Sequence, residues 1–254
     1  MKTIFLFLIF ALQCPMVAQS DPFIATIEHA KLSIIPVACG SFPDDPGGVT
    51  VKMIWGTGFF VNFQGDFVTA GHVIKEHFKW NAKGNPDPSC FPIVYLPNPG
   101  WPSIQWFKFE RCITDEAVDI AVCSTTSNPF GMPKLHPLRL HLLVTNPPDG
   151  TLIAFTGFPL EVAIPVTSRG NVASIGVFAG GQPEIMVNGT TWGGISGGPL
   201  YLVDGSVIGV MLRMGLREAN GMAFARPTSS VLDFLRKNKI VIWQEEPQQN
   251  KDKK

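Results

Sequence analysis

Thr191-Trp192-Gly193-Gly194-Ile195-Ser196-Gly197-Gly198-Pro199-Leu200 sets one serine among four glycines, with a proline just behind. Glycine adopts backbone angles closed to other residues and lets a second chain segment approach closely. A serine held in such a turn is exposed, with free N–H groups beside it. That is the setting of an activated hydroxyl nucleophile next to a site for a developing oxyanion. A lone G-x-S-x-G is also an ordinary glycine-rich surface turn. The choice between the two depends on whether the chain supplies a base and a carboxylate to orient it.

At 254 residues the chain is long enough for one large domain or two small ones packed together. Glycine (25) and proline (22) are plentiful and only 16% of residues are charged, which favours short strands joined by turns. Residues 1–20 read as a secretory signal: Lys2, a short apolar run from Ile4 to Leu12, and small residues at Ala18-Gln19-Ser20 before Asp21. That run is too short to span a bilayer, and no later segment reads as transmembrane. A secreted or periplasmic protein with no stable membrane insertion is expected. Removing Lys2 leaves 19 basic against 20 acidic residues, a formal charge of −1. With no basic stripe, neither nucleic acid nor an anionic membrane is an implied partner. Cys39, Cys90, Cys112 and Cys123 then remain, and an exported chain can join them in three ways. Cys112 and Cys123 flank an expected hairpin; Cys39 and Cys90 both lie beside Pro/Gly loops, and their pairing is the preferred one.

Strand-like runs recur along the chain. They are residues 29–38, Val49–Trp55, Gly56–Phe63, Phe67–Ala70, Ile93–Leu96, Ile104–Ile113 and Asp119–Cys123. After a linker at 126–148 come Leu152–Thr156, Val162–Ser168, Gly170–Val177, Glu184–Val187, Pro199–Val203, Val207–Leu212 and Gly221–Ala225. This spacing points to an all-β barrel or sandwich. Ser229 or Ser230 is placed to cap one helix over Val231–Lys237, and a polar tail from Gln244 reads as disordered. No internal repeat is visible. His136 and His141 stand alone in the linker, and no metal or cofactor is implied.

The remaining pieces of the chemistry are His72, in Thr69-Ala70-Gly71-His72-Val73, and Asp119, opening Asp119-Ile120-Ala121-Val122. A serine hydroxyl is a weak nucleophile until a base takes its proton, and imidazole has a pKa suited to that. A carboxylate holds the base in one tautomer and stabilises the imidazolium. The order His72, Asp119, Ser196, each at a turn or strand start, therefore assembles a complete set.

Those three segments resemble the signatures of trypsin-like serine peptidases. The likeness extends to Gly56-Thr57-Gly58-Phe59, to Val166-Thr167-Ser168-Arg169-Gly170-Asn171-Val172, to Asp204-Gly205-Ser206-Val207-Ile208-Gly209 and to Met222-Ala223-Phe224-Ala225. These longer matches are similar to the HtrA/Deg-like bacterial branch. The resemblance covers about residues 30–238. It implies an all-β fold of two six-stranded antiparallel barrels with a short C-terminal helix and the site in the cleft between the barrels. The first barrel (28–125) would carry His72 and Asp119, the second (149–227) Ser196, and residues 228–240 the helix. It further implies serine endopeptidase activity on polypeptide substrates, with an oxyanion hole from the Gly194 and Ser196 N–H groups.

Several departures refine that expectation. Ile195 stands where activatable members carry an aspartate, so ion pairing with a newly cut N-terminus is not expected. Trp192 stands where animal members often place a cysteine, which fits a bacterial-type chain. The residues after the expected helix are too few for a PDZ domain, so a member without one is expected. Thr190 would lie at the base of the primary pocket, and Leu212-Arg213-Met214 would pair with substrate backbone as an added strand. With no acid at that base, an uncharged side chain is the expected occupant. An α/β-hydrolase needs a histidine after its serine, and all five histidines (29, 72, 77, 136, 141) precede Ser196. The standing alternative is an inactive peptide-binding protein on the same fold.

Overall fold

The computed structural model describes residues 21–42, 48–78, 90–96, 105–131, 135–138, 147–178, 181–215 and 221–243. The first six strands are β1 Ile34–Ser41, β2 Thr50–Phe60, β3 Asp66–Ala70, β4 Phe91–Leu96, β5 Gln105–Asp115 and β6 Ile120–Thr125. They close into a barrel in the order β1-β2-β3-β6-β5-β4. The next six are β7 Leu152–Gly157, β8 Val166–Val177, β9 Pro183–Asn188, β10 Pro199–Tyr201, β11 Val207–Met214 and β12 Met222–Pro227. They close in the order β7-β8-β9-β12-β11-β10. The second barrel thus repeats the strand order of the first, a repeat of topology with no trace in the residues themselves. All-antiparallel pairing throughout matches the expected fold class.

The interiors differ. The first barrel is filled by Phe59, Phe60, Phe67, Tyr95 and Phe109, packed edge to face at Phe60–Phe67 and Phe67–Phe109. The second holds smaller groups around Phe155: Ile153, Val172, Ile185, Val187, Ala223 and Ala225. The first core runs on without a break through Phe158, Tyr201, Val210 and Leu212, so the barrels share one apolar seam.

Among the described residues three helices decorate the barrels. Helix α1, Phe23–Lys31, occupies the start of the run expected to be strand-like at 29–38. Nine residues cannot hold a helix alone. It is held by docking on the second barrel: Phe23 is buried under the Arg169 guanidinium, Asp21 pairs with Arg169, and Thr26 Oγ1 donates to the Val203 carbonyl at 2.6 Å. Helix α2, Gly71–Phe78, follows β3 directly. Helix α3, Thr228–Lys237, starts earlier than expected, and neither Ser229 nor Ser230 caps it. Pro227 takes the capping position without any side-chain hydrogen bond, and its fixed φ aims the chain into the helix. Val231, Leu232, Phe234 and Leu235 bury one face. Residues 240–243 then return to the first barrel, where Trp243 N–H donates to the Val61 carbonyl at 2.7 Å and Asn62 Nδ2 to the Val241 carbonyl at 2.8 Å.

Two pairs of sequence runs merge. Val49–Trp55 and Gly56–Phe63 form the single strand β2, and β8 joins residues on both sides of Arg169. The residues before β8 form a short 3-10 turn at Pro159–Glu161, in which Leu160 and Glu161 have positive φ (53° and 61°). Disulfides join Cys39 to Cys90 and Cys112 to Cys123. In the linker, Leu135 and Leu138 anchor on the first core, and His136 stacks on His29. His141 and the tail from Gln244 lie outside the described residues.

Candidate active site

Antiparallel pairing of Ala70 with Ile120 brings the exit of β3 beside the entrance of β6. His72 lies two residues past one end and Asp119 one residue before the other, so register alone makes them neighbours. The Asp119 carboxylate accepts from the His72 backbone N–H through Oδ1 at 2.8 Å and from His72 Nδ1 through Oδ2 at 2.9 Å. The Asp119 carbonyl also accepts from Gly71 N–H at 2.9 Å. A carboxylate only accepts, so it places the imidazole proton on Nδ1 and leaves the Nε2 lone pair for another partner. Asp119 holds φ at +54°, a left-handed conformation uncommon outside glycine.

Ser196 sits in the turn between β9 and β10, and its loop is gripped from the first barrel. Buried Thr57 on β2 donates its N–H to the Ser196 carbonyl at 2.9 Å and its hydroxyl to the Gly194 carbonyl at 2.7 Å. That same hydroxyl accepts from Phe158 N–H at 3.0 Å. Ile195 is buried in the second core, an apolar anchor in place of an ion pair. The Ser196 hydroxyl donates its one proton to the Leu212 carbonyl at 2.9 Å.

Two peptide planes beside the serine are fixed by their carbonyls. The Gly193 carbonyl accepts from Leu160 N–H at 2.9 Å, and the Ile195 carbonyl accepts from Gly198 N–H at 2.8 Å. In a trans amide the N–H points opposite to its C=O. The Gly194 and Ser196 N–H groups are therefore turned away from these partners, and neither donates to a backbone acceptor among the described residues. Gly194 needs its lack of a side chain: φ is +98°, and a Cβ would lie 2.3 Å from the Phe158 carbonyl oxygen.

His72, Asp119 and Ser196 line one cavity of about 450 Å³ between the barrels. Thr191, Trp192, Ile195, Met211, Leu212, Arg213 and Met214 line it as well. Thr190 is exposed and does not line it; the adjacent Thr191 does. Leu212 is buried, with its carbonyl on the cleft, whereas Arg213 and Met214 reach solvent.

Residues 56–210 match the trypsin-like peptidase domain. The chain belongs to that family. Two solved structures share the trypsin-like fold. The active form of the Rv3671c protease from M. tuberculosis gives a TM-score of 0.59 at 18% identity, covering 87% of this chain and 86% of that one. The inactive form of a serine-to-alanine mutant of Rv3671c from M. tuberculosis H37Rv gives a TM-score of 0.60 at 17% identity, covering 84% of this chain and 89% of that one. No curated protein gives a significant match.

Two structural features around the cleft escape the sequence reading. Thr57 is one. The other is an ionic group behind the cleft: buried Glu184 on β9 accepts from Arg213 Nη2 at 2.6 Å and lies 3.8 Å from Nη2 of buried Arg226 on β12. The available signal was two isolated charges of opposite sign inside apolar strands, at Pro183-Glu184-Ile185 and Phe224-Ala225-Arg226.

Proposed function

We propose that the protein is a serine endopeptidase that cleaves polypeptides through an acyl-enzyme. The observation that carries this reading is the convergence of the His72–Asp119 pair and Ser196 on one inter-barrel cavity. His72 Nε2 acts as general base once the Ser196 hydroxyl swings from the Leu212 carbonyl toward the imidazole. Ser196 Oγ attacks the scissile carbonyl carbon while its proton passes to Nε2. Asp119 stabilises the imidazolium that forms. The tetrahedral oxyanion accepts from Gly194 and Ser196 N–H. His72 then protonates the leaving amine, and water repeats the sequence to free the acyl group.

Substrate backbone adds as a strand along Leu212-Arg213-Met214. Trp192, Met211 and Leu212 favour an apolar, uncharged side chain, and Thr191 takes the pocket place expected of Thr190. We assign the chain to the HtrA/Deg-like branch on its longer motif matches, and to a secreted or periplasmic location. The two disulfides support that location.

A fluorophosphonate probe tests the reading. The wild type is expected to label at Ser196, and Ser196→Ala to remain unlabelled. An unlabelled wild type that still captures peptides would favour the inactive binding protein. Cleavage of a peptide library tests the pocket: dominant cutting after Lys or Arg would overturn an apolar preference.

A further inference from the structure

Asp119 keeps an unfavourable left-handed φ, a conformation that persists only where its surroundings enforce it. The peptide plane after it is pinned by Gly71 N–H on the Asp119 carbonyl at 2.9 Å. The plane before it is pinned from the other barrel, where Arg226 Nε donates to the Val118 carbonyl at 2.7 Å. With both planes held, φ and ψ of Asp119 are fixed, which sets the Cα–Cβ direction from which the carboxylate reaches the His72 N–H and Nδ1.

The fork that does this is itself fixed. Arg226 is 4% exposed and its Nη1 donates to the Pro183 carbonyl at 2.6 Å. The pairing of Ala225 with Ile185 sets Arg226 opposite Glu184, whose carboxylate supplies the opposite charge a buried guanidinium needs. Glu184 is held in turn by Arg213, which lies over the Phe224 ring at 3.9 Å. The proposed triad and oxyanion donors use none of these groups, and burying charges for packing alone is costly.

We infer that Arg226 is a positioning residue: its fork, braced by Glu184, fixes the Val118–Asp119 peptide across the barrel seam and thereby aims the Asp119 carboxylate at His72. This rests on the peptidase reading above for its kinetic consequence, though not for its geometry.

The test uses the full chain as wild type, Arg226→Gln, Arg226→Lys and the charge-balanced double variant Glu184→Gln/Arg226→Gln. Two signals are read: steady-state kinetics on a peptide substrate, and the low-field proton resonance of His72 Nδ1–H shared with Asp119. In folded Arg226→Gln, kcat is expected to fall roughly 10–100-fold with KM within about twofold, and the low-field resonance to be lost. Arg226→Lys is expected not to rescue either signal, because an ammonium is a point donor and lacks the planar fork that spans the Val118 and Pro183 carbonyls. Unchanged kcat and resonance in a folded Arg226→Gln, or full rescue by Arg226→Lys, would overturn the inference. If Arg226→Gln does not fold, the double variant takes the same measurements. Failure of both to fold would assign Arg226 to stability alone and end the proposal. A wild type without turnover sinks the peptidase reading, while its resonance against that of the variants still decides the role of Arg226.

Discussion

The two barrels share one strand order and contribute to the cleft by opposite means. The first supplies His72 and Asp119, and it locates them by side-chain chemistry: one carboxylate receives both the backbone and the ring of the histidine. The second supplies Ser196 and locates it by backbone, with carbonyls tied down and glycines where no Cβ fits. The lesson is that the first half of the site breaks when a polar atom changes, and the second half when volume changes.

The largest effect should come from the polar half. Asp119→Asn offers one acceptor where two are used, so the imidazole settles in the wrong tautomer. A fall in kcat of roughly 10⁴-fold is expected, with thermal melting little changed. Activity within tenfold of wild type would remove Asp119 from the machinery.

The volume half is tested by a pair of glycines. Gly194→Ala puts a Cβ 2.3 Å from the Phe158 carbonyl oxygen and strains a φ of +98°. The displaced N–H should cost roughly 10²–10³-fold in kcat. Gly193→Ala meets no protein atom within 4 Å and, although Gly193 lines the cavity, should keep kcat within roughly threefold of the wild type. Equal losses in the two variants would show that side-chain volume is not the reason for the glycines.

Thr57→Val joins the halves. It strips the Gly194 carbonyl of its donor and leaves Phe158 N–H buried without an acceptor. Urea unfolding should report about 1–3 kcal/mol of lost stability, with a smaller loss of kcat than in Gly194→Ala. A stability unchanged by this substitution would mean that Thr57 does not tie the barrels.

The smallest effect lies in the aromatic core of the first barrel. The Tyr95 hydroxyl is buried with no hydrogen-bond partner among the described residues, and burial pushes its pKa from 10.0 up to about 12. Tyr95→Phe should gain about 1 kcal/mol. Because the unfolded chain ionises first, wild-type stability should also fall between pH 10 and about 12 as Tyr95 titrates in the unfolded state. The variant should lack that part of the fall, and matching alkaline profiles would contradict the burial argument.

Much of this was legible in the chain. β-rich runs bounded by turn residues outline nearly every strand, although β1, β6 and β7 are buried on both faces and show no alternation. The site segments are legible because their chemistry needs rare residue types in rare contexts. What stayed hidden is non-local. His29-Ala30-Lys31 joins a helix only because Phe23 finds the second barrel, some 140 residues away at Arg169. The α3 start is set by the φ of Pro227 instead of a serine hydroxyl. Thr191 lines the cavity where exposed Thr190 does not, a difference of one position that residue type alone does not reveal. Glu184 and Arg226 become partners only once β9 lies against β12.

The segment ahead of the first barrel docks on the second, through Asp21, Phe23 and Thr26, and the segment behind the second docks on the first, through Val241 and Trp243. The halves are thus cross-strapped. Prying them apart must release both straps, so opening of one barrel against the other is suppressed. Under the proposed peptidase activity, that closure keeps the strapped segments out of a neighbouring copy's cleft.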